Sequence, residues 1–286
     1  MACRWPSTAG AWPPSDVPEG PEIRRAADRL AAAAVGRELV RVWFAFPALK
    51  PFEPGLVGRR IEAISPQGKA LLTCFDNGLT LYSHNQLYGV WRIEAPGDPA
   101  HASRSLRVAL ETADVALRLY SASDVAILRD DEIRSHAFLS RLGPDVLDPA
   151  LDASRIVDRL GEPRFRNRSL GSLLLDQGFL AGMGNYLRSE VLFNARLRPE
   201  RRPGELDAAQ LRRLAKALLD VPRRSYRSRG IEAAAGMKSD YLTDTPDSFR
   251  FAVFDREGLP CPACGGPIRR LESGSRRLYL CPACQR

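Results

Sequence analysis

The sequence predicts an α+β chain with more than one domain, and three observations carry that prediction. Pairs of strand-like segments around short polar turns fill residues 37–125. Helical patterns begin after a stretch rich in Pro and Gly at residues 141–152. Two Cys-x2-Cys pairs lie close together at the end of the chain. Strands followed by helices indicate α+β order, and 286 residues are enough for two hydrophobic cores.

The first regular pattern in the chain is helical. In "PEIRRAADRLAAAAVG", Pro21 suits a first helical turn and Gly36 can end the helix. The apolar residues between them recur at helical spacing, at Ile23, Ala27, Leu30 and Ala34.

Residues 37–125 predict antiparallel β-structure. The segments "KALLTCF" and "LTLYSH" flank "DNG", which is a hairpin turn signal. The segments "SLRVALE" and "VALRLYSA" flank "TAD" in the same way. Hairpins of this kind favour a β-sandwich.

The second half of the chain is predicted to be mainly helical. "SLGSLLLDQGFLAGMGNYLRSEVLFNARL" indicates two helices around a Gly-rich turn, and "DAAQLRRLAKALLDV" indicates another helix opened by a D-x-x-Q capping box. Residues 231–247 are polar and predict a loop. "FRFAVFD" and "RRLYL" are predicted to be short strands that bracket the first cysteine pair.

Composition narrows the classes of protein. The chain has 42 Lys and Arg residues and 34 Asp and Glu residues, which gives a net charge of +8. Such a charge is typical of proteins that bind a polyanion, but an ordinary soluble basic protein would show it as well. The sequence contains no run of 18 apolar residues, so it predicts no membrane-spanning segment. The first 17 residues lack the apolar core of a secretory signal, so we expect a cytoplasmic protein with no membrane partner. A disulfide framework is then not expected from the six cysteines.

The terminal cysteines predict a metal site. Their pattern is C-x2-C-x16-C-x2-C, and two such turns can close a tetrahedral zinc site of four thiolates with no open position. We therefore expect one structural Zn²⁺ and no organic cofactor; two redox or disulfide pairs are the alternative. The ligands would be Cys261, Cys264, Cys281 and Cys284. Arginines between the pairs are either a solvated basic face or phosphate contacts.

Pro18 and Glu19 stand just before the first helix. If Pro18 were the first residue, its nitrogen would be a free secondary amine that could attack a sugar carbon and form an iminium. The positive end of the helix would disfavour its ammonium form, and Glu19 could act as a general acid. The alternative is that Pro-Glu-Gly-Pro is an ordinary turn.

Five motifs occur in the order of one known family. They are "PEGPEIRRAADRL", "QGKALLT", "LYSHNQLYGVW", "LLLDQGFLAGMGNYLRSE" and the terminal Cys-x2-Cys pairs. Over residues 18–286 the chain resembles the bacterial endonuclease VIII branch of the formamidopyrimidine-DNA glycosylase/endonuclease VIII family. The resemblance implies an N-terminal antiparallel β-sandwich with flanking helices and a C-terminal helix-two-turn-helix domain with a zinc finger. We expect domains at 18–141, 150–247 and 248–286, with a hinge at 142–149.

The resemblance also implies an activity and its residues. It implies a base-excision-repair DNA glycosylase and abasic-site lyase that removes oxidised pyrimidines from double-stranded DNA, acting as a monomer through β,δ-elimination. The catalytic residues would be Pro18, which attacks C1′, Glu19, which opens the sugar ring, Lys69, linked to β-elimination, and Arg276, linked to phosphate binding and δ-elimination. The DNA contacts would be Gln86, Arg141 and Asn185, with Leu87 and Tyr88 filling the void left by the flipped nucleotide.

Each residue also has a plainer interpretation. Lys69 could be a solvated lysine at a strand end, residues 86–88 a hairpin loop, and Arg141 part of a linker. Two other functions stay open, which are a glycosylase directed at 8-oxoguanine and a zinc-finger DNA-binding protein without catalysis.

The chain departs from the family at its first residues. Val17 stands where the family has the initiator methionine, so Pro18 has an amide nitrogen as written. We expect that Val17 is the true initiator, read as methionine from a GTG codon, and that residues 1–17 are not part of the native protein.

Overall fold

The computed structural model describes residues 18–86, 88–97, 104–228, 248–273 and 276–286. The predicted extension 1–17, Leu87 and the predicted loop 231–247 lie outside these ranges. The helices are α1 (Gly20–Ala34), α2 (Glu53–Leu56), α3 (Asp130–Ser135), α4 (Ala153–Gly161), α5 (Pro163–Arg166), α6 (Leu170–Leu173), α7 (Asn185–Ala195) and α8 (Ala208–Arg227). The strands are β1 (Arg41–Phe44), β2 (Ile61–Gln67), β3 (Ala70–Phe75), β4 (Leu79–His84), β5 (Val90–Glu94), β6 (Leu106–Glu111), β7 (Ala116–Tyr120), β8 (Asp124–Arg129), β9 (Arg269–Ser273) and β10 (Arg276–Leu280).

The N-terminal half is the predicted antiparallel sandwich. One sheet has the order β1-β6-β7-β5 and the other the order β2-β3-β4-β8. Both predicted hairpins form, with Cys74 opposite Thr80 and Glu111 opposite Ala116 beside their turns. Gly78 closes the first turn at a φ of +76°, a left-handed conformation that glycine adopts without strain.

Helix α1 forms where its apolar spacing predicts it. The backbone N–H of Glu19 donates to the Glu22 carboxylate at 3.0 Å, which satisfies a donor just before the first turn. Its buried face carries Ile23, Ala27 and Leu30 into the sandwich core. The N-terminus of α1 is thereby held at the end of the sandwich that meets the helical half.

The C-terminal half packs its helices around a second core. Helix α8 begins with the predicted capping box, since the Asp207 carboxylate accepts from the N–H groups of Ala209 and Gln210 at 2.8 Å each. It continues to Arg227, beyond the predicted segment, and includes Pro222. Of the two helices predicted around the Gly-rich turn, α7 is a full helix and α6 is a single turn. No described helix is long and apolar enough to cross a membrane.

The predicted strand "FRFAVFD" is wrong. Residues 249–255 form no strand and end in a bend and a turn, because three of their N–H groups bind a carboxylate instead of a neighbouring strand. Glu190, fully buried on α7, accepts hydrogen bonds from the backbone N–H groups of Ala252, Val253 and Phe254 at 2.9–3.1 Å. The predicted strand "RRLYL" forms as β10 and pairs with β9 in an antiparallel hairpin.

The two halves touch through backbone. The N–H of Gly20 donates to the carbonyl of Gly182 at 2.8 Å, and a Cβ on Gly20 would lie 3.0 Å from the Gly182 Cα. In the β2–β3 turn, the N–H of Gly68 donates to the Asp145 carboxylate at 3.0 Å. These contacts bring the start of α1, the β2–β3 turn and the start of α7 to one place. The division of the chain into the expected domains and hinge stays a prediction.

Candidate active site

Glu19 is the centre of a buried polar cluster. It is 2% exposed and lies between α1 and α7. Its carboxylate accepts from the N–H groups of Tyr186 and Leu187 at 2.8 and 3.2 Å, so it occupies the donors at the positive end of α7. Burial is the largest influence on this group and raises its pKa from the usual 4.5 to about 7. A carboxyl with such a pKa can hold a proton at neutral pH and donate it.

Lys69 lies beside Glu19 across Gly184. A Cβ built on Gly184 would lie 2.4 Å from Glu19 Oε1 and 2.5 Å from Lys69 Nζ, so both groups reach the space that a side chain there would fill. Burial lowers the pKa of Lys69, the Glu19 charge raises it, and the Arg276 charge lowers it. The lysine comes to this point because Gly68 turns the β2–β3 loop at a φ of +61°.

Pro18 is buried and directly precedes Glu19 in the chain. The structure brings Glu19 and Lys69 together from positions 50 residues apart.

A second buried carboxylate supports the cluster, and our sequence analysis did not find it. Glu22 accepts hydrogen bonds from the Tyr186 hydroxyl at 3.0 and 3.1 Å and pairs with Arg25 at 2.7 Å. The Tyr186 hydroxyl also lies 2.9 Å from the Ser225 hydroxyl. The position of Glu22 three residues after Glu19 is a capping signal that could have pointed to it.

Asn185 and Arg276 approach the cluster from α7 and the terminal hairpin. Asn185 is buried as the first residue of α7, and its Oδ1 accepts from the Arg188 guanidinium at 2.7 Å. Arg276 is exposed as the first residue of β10. Its positive charge lowers the pKa values of both Lys69 and Arg188.

Gln86 and Tyr88 lie on the connection between β4 and β5, whereas Arg141 ends a short 3-10 turn after α3. Gln86 has a left-handed φ of 50°, and its Oε1 accepts from the Ser123 hydroxyl at 2.7 Å. Tyr88 is 66% exposed, whereas Leu87 lies outside the described residues. Arg141 is exposed and donates its Nε–H to the Ala137 carbonyl at 2.6 Å.

His84 is a neighbour of the cluster that the sequence analysis missed. It pairs with Ala70 across β3 and β4. Burial, the largest influence, lowers its pKa, Asp124 raises it, and Lys69 lowers it. Its position directly before "NQLYG" is the only signal that the sequence offered for it.

The four terminal cysteines form the predicted zinc site. Their Sγ atoms all lie within 4.8 Å of one another. The Cys261–Cys284 and Cys264–Cys281 sulfur pairs are 3.8 and 3.5 Å apart, too far for a disulfide. Zn–S bonds of about 2.3 Å in a tetrahedron place sulfurs about 3.8 Å apart, so the arrangement fits a structural zinc ion. The site stands at one end of the β9–β10 hairpin whose strand β10 carries Arg276.

Three family models match the chain. They are the formamidopyrimidine-DNA glycosylase N-terminal domain over residues 17–130, the formamidopyrimidine-DNA glycosylase H2TH domain over residues 142–235, and the zinc finger found in FPG and IleRS over residues 258–286. A relative from Escherichia coli named Endonuclease 8 is 52% identical over 269 residues, which make up 94% of this chain and 100% of the relative. The chain belongs to the formamidopyrimidine-DNA glycosylase/endonuclease 8 family. Endonuclease 8 of Pectobacterium atrosepticum is 51% identical with the same coverage.

Solved structures of this family share the fold. Lactococcus lactis Fpg in complex with DNA that contains an abasic site has a TM-score of 0.79 and 21% identity, covering 94% of this chain and 99% of that one. The same protein with DNA that contains an oxidised pyrimidine has a TM-score of 0.78 and 22% identity with the same coverage. As a family member, the chain is a base-excision-repair DNA glycosylase with an Fpg-like fold and a terminal zinc finger.

Proposed function

We propose that this glycosylase removes oxidised pyrimidines from duplex DNA and then cuts the abasic strand, using the Pro18 nitrogen as its nucleophile. The observation that carries the proposal is the Glu19 carboxyl. Its pKa is raised to about 7, and it lies directly after Pro18 and beside Lys69. The candidate nucleophile, Pro18, is thus followed directly by a proton donor, Glu19, which lies beside the amine of Lys69. Acid-assisted base displacement needs these three kinds of group.

In the proposed first step, the lone pair of a neutral Pro18 nitrogen forms a bond to C1′. The N-glycosidic bond breaks, its electron pair leaves with the base, and the proton lost by the Pro18 nitrogen neutralises that base. Glu19 gives its proton to the ring oxygen O4′ as the sugar ring opens and the iminium forms. The buried position of Glu19 favours this role, because burial keeps its acid form populated at neutral pH.

Strand cleavage would follow at the iminium. Lys69 would assist the β-elimination that releases the 3′ phosphate, and its lowered pKa supports this role because a neutral, proton-accepting amine becomes more accessible. Arg276 and Asn185 would hold phosphates, and Arg276 would support the δ-elimination. The net charge of +8 suits this polyanionic substrate.

The preference for pyrimidines rests on sequence likeness. The motifs "PEGPEIRR" and "QLYGVW" resemble the pyrimidine-directed branch, and relatives named Endonuclease 8 are 52% identical. Single-turnover excision should therefore be faster from a thymine glycol duplex than from an 8-oxoguanine duplex of the same sequence. Faster removal of 8-oxoguanine would reverse the assignment.

We expect the enzyme to act as a monomer in the bacterial cytoplasm.

The proposed nucleophile requires a free Pro18 nitrogen. Borohydride reduction of an iminium leaves a stable protein–DNA crosslink, so trapping on a thymine glycol duplex tests the chemistry directly. The 286-residue chain and a chain whose initiator methionine directly precedes Pro18 should be compared side by side. We expect crosslinking from the second chain and little from the first.

Two outcomes would contradict the proposal. Equal crosslinking by both chains would mean that an amine other than Pro18 reacts. Crosslinking by neither, with both chains folded and loaded with zinc, would indicate a DNA-binding protein without catalysis. The N-terminal residue of the native protein, read by intact mass, tests the expected start at Val17.

A further inference from the structure

Arg188 is a fully buried arginine whose guanidinium joins three segments. It is 0% exposed and lies on α7, one turn after Asn185. Its NH2 group donates to Asn185 Oδ1 at 2.7 Å and to the Arg277 carbonyl at 3.0 Å. Its NH1 group donates to the Gly171 carbonyl on α6 at 3.0 Å. One side chain thereby connects α7, α6 and the hairpin that carries Arg276.

Stability alone does not account for this residue. Burial lowers the pKa of Arg188 to about 10, so the group is still charged at neutral pH and has lost its hydration. Its Nε–H is buried and has no hydrogen-bond partner among the described residues. Among the described residues its hydrogen-bond acceptors are two carbonyls and one amide oxygen, and the Glu19 charge only partly offsets the effect of burial on its pKa. Keeping a charge buried among neutral acceptors costs free energy of folding, which points to a role besides stability.

The bond to Asn185 decides which way that amide faces. Because Oδ1 is taken by the Arg188 guanidinium, the two N–H bonds of the Asn185 amide are the groups that remain to bind a ligand. Two N–H donors suit an anionic oxygen, whereas a carbonyl oxygen would repel it. Arg188 thus selects the amide orientation that can bind a phosphate.

The bond to the Arg277 carbonyl acts on the neighbouring residue. Arg277 follows Arg276 directly on β10, so the fixed carbonyl sets where the Arg276 side chain leaves the strand. Ser189 gives a second link between α7 and β10, because its hydroxyl accepts from the Tyr279 N–H at 3.3 Å. The hairpin should therefore stay in contact with α7 when Arg188 is replaced, while the position of Arg276 at the start of β10 is no longer fixed.

We propose that Arg188 is a positioning residue that holds Asn185 and Arg276 as one phosphate clamp across the lesion site. The inference rests on the proposed function, because it assigns both residues to phosphates. It adds that their two positions are coupled through one guanidinium rather than set independently. Arg188 itself touches neither the phosphate nor the reacting atoms.

Equilibrium binding to a duplex with a tetrahydrofuran abasic analogue tests the coupling, since this ligand needs no free Pro18 nitrogen. Arg188→Met should weaken binding about tenfold, which corresponds to about 1.4 kcal/mol. Asn185→Ala should cost a similar factor, and the double variant no more than the larger single loss, because both remove the same contact. Arg188→Lys should stay impaired, since a lysine ammonium cannot span the three acceptors. Arg60→Met is the matched control, because Arg60 is an exposed arginine paired with Glu38 at 3.2 Å, and it should bind within about twofold of wild type.

The strand-cleavage products give a second measurement. Arg188→Met should shift them toward β-elimination, as loss of Arg276 would, while the zinc content stays near wild type. Unchanged binding and products in a folded Arg188→Met protein would overturn the inference. Full activity of Arg188→Lys, or additive losses in the double variant, would overturn it as well. If the wild-type protein does not prefer the abasic duplex over an undamaged one, the proposed function itself fails.

Discussion

Base removal should require the protonated form of Glu19, whereas cutting at a preformed abasic site should not. The perturbation is pH, together with the substitution Glu19→Gln. Both reactions need a neutral Pro18 nitrogen, so its titration affects them equally. The ratio of the two rate constants therefore isolates the carboxyl group.

The magnitude follows from the pKa of the carboxyl. With a pKa of about 7, Glu19 is about 90% protonated at pH 6 and about 10% protonated at pH 8. The ratio of base removal to strand cleavage should then fall about tenfold over this range. Glu19→Gln removes the acid altogether and should slow base removal by about 10²–10⁴-fold, which is the usual contribution of a general acid. Cleavage of a preformed abasic site should change by only a few-fold.

The assay is single-turnover kinetics with the chain that begins at Pro18 after methionine removal. One duplex carries thymine glycol and the other a preformed abasic site, and both are measured at each pH. Glu62→Gln, which changes an exposed carboxyl on β2, is the control and should behave as wild type. A ratio that stays level between pH 6 and 8 would refute the role of Glu19, and so would equal loss of both activities in Glu19→Gln.

The same pKa predicts the sign of a stability change. The folded protein keeps a proton on Glu19 that the unfolded chain, with a pKa of 4.5, has released. The free energy of unfolding from this group therefore falls as pH rises, by about 2 kcal/mol between pH 5.5 and 8. Wild type should lose this amount relative to Glu19→Gln in urea denaturation. A difference between the two proteins that does not change with pH would contradict the buried, protonated carboxyl.

Three further predictions concern neighbouring parts of the site. Gly184→Ala would place a methyl 2.3 Å from the Glu19 carboxyl carbon, so we expect base removal to fall about 100-fold. The control Gly161→Ala, whose added methyl would have no neighbour from another part of the described chain within 4 Å, should be unaffected. Equal rates of base removal in the two variants would contradict the crowded geometry. Arg276→Ala should reduce the δ-elimination product and the dependence of binding on salt, and an unchanged product pattern in a gel assay would count against its phosphate role. Cys264→Ser should lower the zinc content, measured by metal analysis, and reduce δ-elimination with it, because the metal supplies the folding energy of the hairpin; a full zinc complement with normal cleavage would argue against a structural metal.

Much of the fold could be predicted because it rests on local patterns. The apolar spacing of α1, the "DNG" turn between β3 and β4, and the capping box at Asp207 each lie within a few neighbouring residues. The zinc ligands could be found in the same way, since tetrahedral geometry restricts how two Cys-x2-Cys turns can meet. The segment 249–255 was misassigned because the groups that bind its N–H donors belong to Glu190, about 60 residues earlier.

The sequence by itself determined the α+β class, the metal ligands and the candidate residues of the site. Only the tertiary structure decided their chemical state. The pKa of Glu19 depends on its burial between α1 and α7 and on N–H donors 167 and 168 positions away. The guanidinium of Arg188 likewise meets a carbonyl 89 positions away. Burial and charge depend on distance in space, which no local pattern contains, so the acid at Glu19 and the link at Arg188 exist only in the folded chain.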